Sequence, residues 1–389
     1  MKRLKGLSLF SGVGLAEVFL KDIGVDIVLA NEIDKQRGDF FQHIFKDAKM
    51  IVGDITDNKI RNDIVSKSIS KGVDFIIATP PCQGMSIAGK MDKLDARNQL
   101  IFYAIDVIKK VKPRFVLIEN VPRQLKTIIK IGGKKLLIPE YMKNELSESY
   151  YLNEETLVRA MDFGVPQMRQ RNITLMCRKD TKIKWSFPEK NKNQITLKEA
   201  LKDVPSLYPL LREGMEMTLK KFPQFFEYKK KGLAVSKWHF PPTHSYKMVE
   251  WMMHTPSGKT AFDNKLYYPQ KRDGTRIKGH YNHYRRHNWD KPSRTITQNN
   301  GVISSLTCVH PGYPVSDDGT EKGRLYSDPR VFSIYELLIV SSLPLNWDIP
   351  DWAEESFIRK VIGEGIPPLL IKLIVKDLTK QIKNISYEK

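Results

Sequence analysis

The sequence predicts an α/β fold: an open parallel sheet with helices on both faces, joined to a smaller basic domain. Three observations lead there. Apolar runs of strand length alternate with helical segments through the first half of the chain, the pattern of a sheet buried on both faces. Glycines and acids stand where those runs end, and open sheets bind ligands beyond the carboxyl ends of their strands. Residues 177–293 hold 25 Lys and Arg against 11 Asp and Glu, a surplus of 25 − 11 = 14 out of the chain's net +20.

In order, GLSLF is the first strand, SGVG turns the chain, and a helix is expected from just after Gly14 to near Gly24. DIVLANEID, KMIVGDI and VDFIIATPPC are the second, third and fourth strands. A helical run over 100–111 precedes the fifth, RFVLIENVP, and NITLMC is the sixth. After Pro368, LLIKLIVKDLTKQI has apolar residues at helical spacing and is expected to pack back on the first domain. The expected division is a first domain over 1–180, completed by 356–389, and a second over 181–355.

A chain of 389 residues is long enough for two domains. No apolar run approaches the ~20 residues of a membrane span. MKRLKGLSLF lacks the long apolar stretch and cleavage site of a secretory signal. The three cysteines lie far apart with no CxxC, so neither a metal site nor a disulfide framework is indicated, and a reducing cytoplasm fits. The positive charge points to a polyanion, most simply nucleic acid. Aromatics interleaved with the charge favour that reading over a merely solvated lysine surface.

The strand ends carry the chemistry. Phe10, Ser11, Gly12 and Gly14 form a GxG turn, Glu32 ends the second strand and Asp54 follows the third. A glycine turn lets a ligand approach the backbone, and a strand-end acid can hold ribose hydroxyls. An Asp can accept from an adenine amine. Together they favour an adenosine-containing cofactor over simple packing, and the missing third glycine of GxGxxG argues against a dinucleotide. Cys82 follows two prolines. It is either a small buried strand-end residue or a nucleophile, since the thiolate is the attacking form. Glu119 either faces a heterocycle as a proton donor or binds a neighbouring loop. In QMRQRN, Gln167, Arg169 and Arg171 alternate and would share one strand face, suited to a base and its phosphates or to a solvated edge.

In this order the FSGVG turn, NEID, GDI, PPCQ, ENV, QxRxR, RTIT (294–297) and IGEGIPPLL resemble the cytosine-C5 DNA methyltransferases over nearly the whole chain. The resemblance implies a Rossmann-like, S-adenosylmethionine-dependent methyltransferase sheet with a DNA target-recognition domain. The implied cofactor is S-adenosyl-L-methionine, and the implied partner is double-stranded DNA. Cys82 would add to C6 of a flipped cytosine. Glu119 would protonate or hydrogen-bond N3, and Arg171 would contact O2. Arg169 would orient the site or hold phosphate, with Gln167 bracing them and Asn120 holding the cysteine turn. The cofactor would lie against Phe10, Ser11, Gly12, Gly14, Glu32, Ile33, Asp54, Ile55, Pro81 and Leu100, with Gly365 and Ile366 from the last motif. Residues 83–99 would form a lid closing on DNA, with Gln83 and Ser86 reaching it. Arg272, Arg276, Arg285, Arg286, Arg294 and Thr295 would also touch DNA. KKFPQFFEYKKKG is either a second DNA strip or an exposed helix.

Two departures stand out. Glu364 occupies the place of a family Asn near the cofactor's carboxylate end, where an acid either repels the cofactor or turns away. Thr79 replaces a glycine, for a reason the sequence does not supply. The implied activity is site-specific DNA (cytosine-5-)-methylation in a bacterial cytoplasm by a monomer on nucleoid DNA, as the modification arm of a restriction-modification system with a cognate endonuclease. Three rivals remain at this point. A tRNA cytosine-C5 methyltransferase of the same fold is disfavoured by the large basic segment. A non-catalytic DNA-binding relative is disfavoured by the intact Cys82, Glu119 and Arg171. A thiol hydrolase or oxidoreductase would need a His or second Cys beside Cys82.

Overall fold

The computed structural model describes residues 3–81, 96–131 and 133–387. Among these, an eight-stranded sheet forms the centre. β1 (Leu4–Leu9) is followed by β2 (Val25–Glu32), α1 (Lys35–Ile44) and β3 (Lys49–Val52). α2 (Asn58–Lys71) leads to β4 (Phe75–Ala78), and α3 (Leu100–Val111) to β5 (Phe115–Asn120). These five strands are parallel in the order β3-β2-β1-β4-β5. The chain runs outward from β1 to β3 and then returns to β4 on the other side of β1. That reversal is a topological switch point, where open α/β sheets bind ligands. The strands are apolar because both faces are covered. Leu7, Leu29, Ile76 and Val116 pack with Ile64, Ile101 and Ile105 on one side. Val25, Ile27, Phe75 and Leu117 pack on the other.

The remaining strands depart from the expected parallel arrangement. A hairpin of β6 (Ile128–Ile131) and β7 (Lys134–Leu137) is followed by α4 (Ile138–Leu146), β8 (Tyr150–Leu152), β9 (Leu157–Arg159) and β10 (Gln170–Arg178). β10, the expected sixth strand, runs antiparallel to β5 and to both β8 and β9. The β9–β10 link carries only a short turn of 3-10 helix, Ala160–Phe163. That is too little for the crossover a parallel pair needs.

The helix expected after Gly14 does not form. Residues 11–20 run as successive turns into a 3-10 helix, Lys21–Ile23. Backbone bonds close three-residue steps: Gly14 to Ser11, Glu17 to Gly14, Leu20 to Glu17. The cause is tertiary. Val13 and Leu15 enter one core while Ala16 and Leu20 enter another. Glu17 is drawn inward to accept from Ser8 Oγ at 2.6 Å. Apolar spacing that serves two cores imitates a helix without requiring one.

The C-terminal helix Pro368–Tyr387 places Leu370, Ile371, Ile374 and Val375 in the core of the sheet. Trp185 Nε1 donates to its Ile374 carbonyl at 3.0 Å. A third core joins Val13, Leu15 and Phe40 to Trp289, Ile296, Leu337 and Ile362. A fourth lies within the basic segment and its sequel, around Phe225, Trp251, Tyr284, Ile303 and Val331. Arg330, fully buried, pairs with Asp328 and Glu336, each at 2.7 Å.

Candidate cofactor and catalytic pocket

At the switch point lies a cavity of about 1230 Å³. One wall is the turn after β1. Gly12 has φ 55°, and a Cβ added there would meet nothing within 4 Å, so the turn leaves open space against its backbone. Gly14 has φ 83° but stands behind the turn, where a Cβ would strike the Phe45 ring. It shapes the turn without lining the cavity. Phe10 also adopts a left-handed backbone, φ 56°. Thr79 Oγ1 donates to the Phe10 carbonyl at 2.9 Å, and Thr79 N to Leu9 O at 3.1 Å. The hydroxyl that the sequence left unexplained thus fastens the end of β4 to the strained turn after β1.

Glu32 is held by three backbone donors: Gly12 N at 2.8 Å on one oxygen, Ile33 N and Asp34 N at 3.0 Å on the other. Its carboxylate is fixed between the glycine turn and α1. Ile33, 64% exposed despite its size, contributes an apolar wall. Asp54 uses one oxygen on Thr56 N at 2.9 Å. Ile55, Pro81, Leu100, Gly365 and Ile366 complete the lining together with Phe10 and Ser11. Open space against the glycine turn, fixed acids and apolar faces suits an adenosine-bearing group.

The cavity continues to Glu119 at the end of β5 and Arg171 at the start of β10. Arg171 Nε pairs with Glu119 Oε1 at 2.7 Å, with both side chains nearly buried. Its Nη1 is spent on the Gln170 carbonyl at 2.8 Å. Asn120 Nδ2 donates to the Pro80 carbonyl at 3.1 Å, while its own Oδ1 accepts from Val121 N at 2.8 Å. It therefore holds the segment leading to Cys82. Cys82, Gln83, Ser86 and most of the expected lid lie outside the described residues. The other two cysteines, Cys177 and Cys308, are buried, and burial pushes each thiol up to about 12.

Gln167 and Arg169 precede β10 and do not alternate with Arg171 along it. The link is pulled aside by other segments. Gln167 donates to Val340 O at 3.2 Å and accepts from Ile296 N at 3.3 Å. Arg169, 3% exposed, donates to the carbonyls of Ile296 (2.8 Å), Gly363 (3.0 Å) and Glu364 (2.7 Å). A guanidinium so enclosed is not placed to hold phosphate; its bonds tie the 296 and 363–364 segments to the link before β10. Glu364 turns to Arg37 on α1 at 2.6 Å.

The expected DNA contacts divide. Arg272 is exposed. Arg276 is exposed, but its guanidinium donates to Phe262 O and Asn264 O and stacks on Tyr268. Arg285 is half-buried and donates to Gly258 O at 2.6 Å. Arg294 and Thr295 reach the cavity itself, Arg294 beside Asn282 at 3.0 Å. Arg286 is overturned as a DNA contact: it is 0% exposed and donates to the carbonyls of Met252, His310 and Asp328. His287 and Trp289, from the same basic run, are buried as well. Asn282, Thr307, Lys360 and Arg37 also line the cavity. Only Arg37, one helical turn beyond Ile33, had a readable signal.

Fold and cavity together define an α/β class in which one cavity joins a glycine turn and fixed acids to a carboxylate–guanidinium pair. The family model for C-5 cytosine-specific DNA methylase matches residues 4–380. The Type II methyltransferase M1.HgaI of Avibacterium volantium is 42% identical over 97% of this chain and 98% of its own. The Type II methyltransferase M.DdeI of Desulfomicrobium norvegicum is 24% identical over 98% of this chain and 89% of its own. Among solved structures, a prophage-encoded E. coli protein assigned as a DNA modification methyltransferase superposes with TM-score 0.64 at 22% identity, covering 98% of this chain and 99% of its own. The chain belongs to the C-5 cytosine-specific DNA methylase family. It is an S-adenosylmethionine-dependent DNA (cytosine-5-)-methyltransferase.

Proposed function

We propose that the chain methylates one cytosine within a specific duplex sequence, as the modification arm of a restriction-modification system. The observation that carries the reading is the single cavity running from the glycine turn, past Pro81, to the Glu119–Arg171 pair. S-adenosylmethionine, bound along Gly12, Glu32, Ile33 and Asp54, supplies an electrophilic methyl group. The chain supplies the rest. Cys82 Sγ forms a bond to C6 of a cytosine taken out of the stack. Glu119 delivers a proton or hydrogen bond to N3, so the electron pair released by the addition settles on C5 instead of charging the ring. Arg171 fixes the Glu119 carboxyl through Nε and keeps Nη2 for the base's O2. Asn120 sets the height of the thiol through Pro80. Once C5 has taken the methyl group and S-adenosylhomocysteine is left, water removes the C5 proton and the returning pair expels Cys82 as thiolate. N3 gives the proton it received back to Glu119.

Target recognition falls to the second domain, 181–355, built on the core around Trp251 and Tyr284. The first domain is 1–180 with 356–389. The enzyme acts as a monomer on nucleoid DNA in a bacterial cytoplasm, alongside a cognate endonuclease. No described helix is long and apolar enough to cross a membrane.

The test is bisulfite sequencing of plasmid DNA from cells expressing the wild type or Cys82→Ser. Protected cytosines at one recurrent sequence are expected with wild type only. Methylation that survives the substitution would sink the mechanism, and methylation without a recurrent sequence would sink site specificity.

A further inference from the structure

Among the described residues, two oppositely charged pairs line the cavity. Glu119–Arg171 is spent on the base. The other joins Arg37, in the first turn of α1, to Glu364 near the end of the chain, Nη2 to Oε2 at 2.6 Å. The two side chains are 21% and 19% exposed, so the pair is set into the wall and is no surface bridge.

Three features mark it as more than a structural tie. Glu364 Oε1 is buried and lacks a hydrogen-bond partner among the described residues. A buried acceptor in that state is costly until a donor arrives. Arg37 uses its fork, among the described residues, on Glu364 alone, although a guanidinium carries five N–H donors. Both main chains are pinned. Asp34 Oδ1 accepts from Arg37 N at 3.1 Å, and Arg169 holds the carbonyls of Gly363 and Glu364 at 3.0 and 2.7 Å. The two charges are preorganised, and each keeps unused capacity.

S-adenosylmethionine has one part that Glu32, Asp54 and the apolar walls do not match: its amino-acid end, an ammonium beside a carboxylate. We propose that Arg37 and Glu364 form the receptor for that end. Glu364 Oε1 accepts from the ammonium, and the remaining N–H groups of Arg37 donate to the carboxylate. Their mutual pairing keeps Glu364 from facing the cofactor's carboxylate as an uncompensated negative charge. An acid is tolerated at position 364 because α1 supplies its counter-charge. The inference rests on reading the cavity as the cofactor site.

Calorimetric titration separates the two. S-adenosylhomocysteine carries the amino-acid end; 5′-methylthioadenosine lacks it. Arg37→Gln and Glu364→Gln are each expected to weaken S-adenosylhomocysteine about tenfold, the scale of one charge-assisted hydrogen bond. Methylthioadenosine should bind each variant about as it binds wild type, which also reports that the pocket is folded. The double variant should be little worse than the weaker single one, since the two charges act as one unit. Unchanged S-adenosylhomocysteine affinity in both single variants would overturn the proposal. So would equal weakening of both ligands, the mark of a structural latch. A wild type that binds neither ligand would remove the cofactor reading itself, and this proposal with it.

Discussion

Phe10 holds a left-handed backbone, φ 56°, a conformation unfavourable for a bulky residue unless its surroundings impose it. Thr79 supplies part of that imposition through its hydroxyl on the Phe10 carbonyl, 2.9 Å away. Thr79→Val keeps the shape and removes the donor. It should lower stability by about 1 kcal/mol and weaken S-adenosylhomocysteine binding, because the turn it steadies is the pocket wall. Urea unfolding and titration calorimetry on the same preparation check both parts. Glu17, behind the same turn, is buried, with one oxygen on Ser8 and the other without a partner among the described residues. Burial pushes its carboxyl up to about 7 from an ordinary 4.5. The folded chain then holds this proton more tightly than the unfolded chain does. Its contribution is fully present below pH 4.5 and is lost as pH rises through about 7. The whole swing is on the order of 3 kcal/mol. Glu17→Gln should flatten the stability profile across that window and stabilise the protein above it. Parallel profiles for the two proteins, measured by urea unfolding at pH 5 and pH 8, would refute the assignment.

At the scale of elements, the strands were legible because burial on both faces writes itself as unbroken apolar runs. α3 was legible because its buried face repeats at helical spacing. The turn after β1 was misread for a physical reason: Val13, Leu15, Ala16 and Leu20 serve two cores, and single-sequence periodicity cannot tell two cores from one helical stripe. The antiparallel β10 was missed because orientation depends on its links and not on its own residues. The lining of the cavity was legible wherever chemistry and strand ends coincide, as at Glu32, Asp54, Glu119 and Asn120. It was not legible where a long-range partner decides the role. Arg169 was expected either to orient the site or to hold phosphate, and only its long-range partners reveal a clamp across three segments. Arg169→Ala would leave three buried carbonyls without their donor and should cost about 3 kcal/mol or more. Arg169→Lys should rescue little, since an ammonium cannot reproduce the planar fork. Denaturant unfolding of the three proteins decides the point; full stability in the alanine variant would return Arg169 to the DNA contacts.

For the molecule as a whole, the +14 surplus over 177–293 points to a polyanionic partner and is a poor guide to which residues would meet it. Part of that charge has been taken inside. Arg286 is fully enclosed by carbonyls, and Arg276 and Arg285 are partly committed to Phe262, Asn264 and Gly258. Arg272, in the same run, is exposed. The two kinds of arginine should separate in one experiment. A phosphate contact releases counterions, so each one lost lowers the slope of log affinity against log salt by about 0.9. Arg272→Ala should therefore give a shallower salt dependence, an unchanged recognition sequence and an unchanged melting temperature. Arg286→Ala should do the reverse. The carbonyls of Met252, His310 and Asp328 lose their donor inside the core, which lowers the melting temperature by several degrees. Any DNA-binding loss should then track the unfolded fraction and not the salt concentration. Fluorescence anisotropy on a labelled duplex from about 50 to 200 mM salt, paired with thermal melts, reads both effects. A reduced salt slope in Arg286→Ala at full thermal stability would place that guanidinium on the DNA after all, and with it the whole basic run on the recognition face.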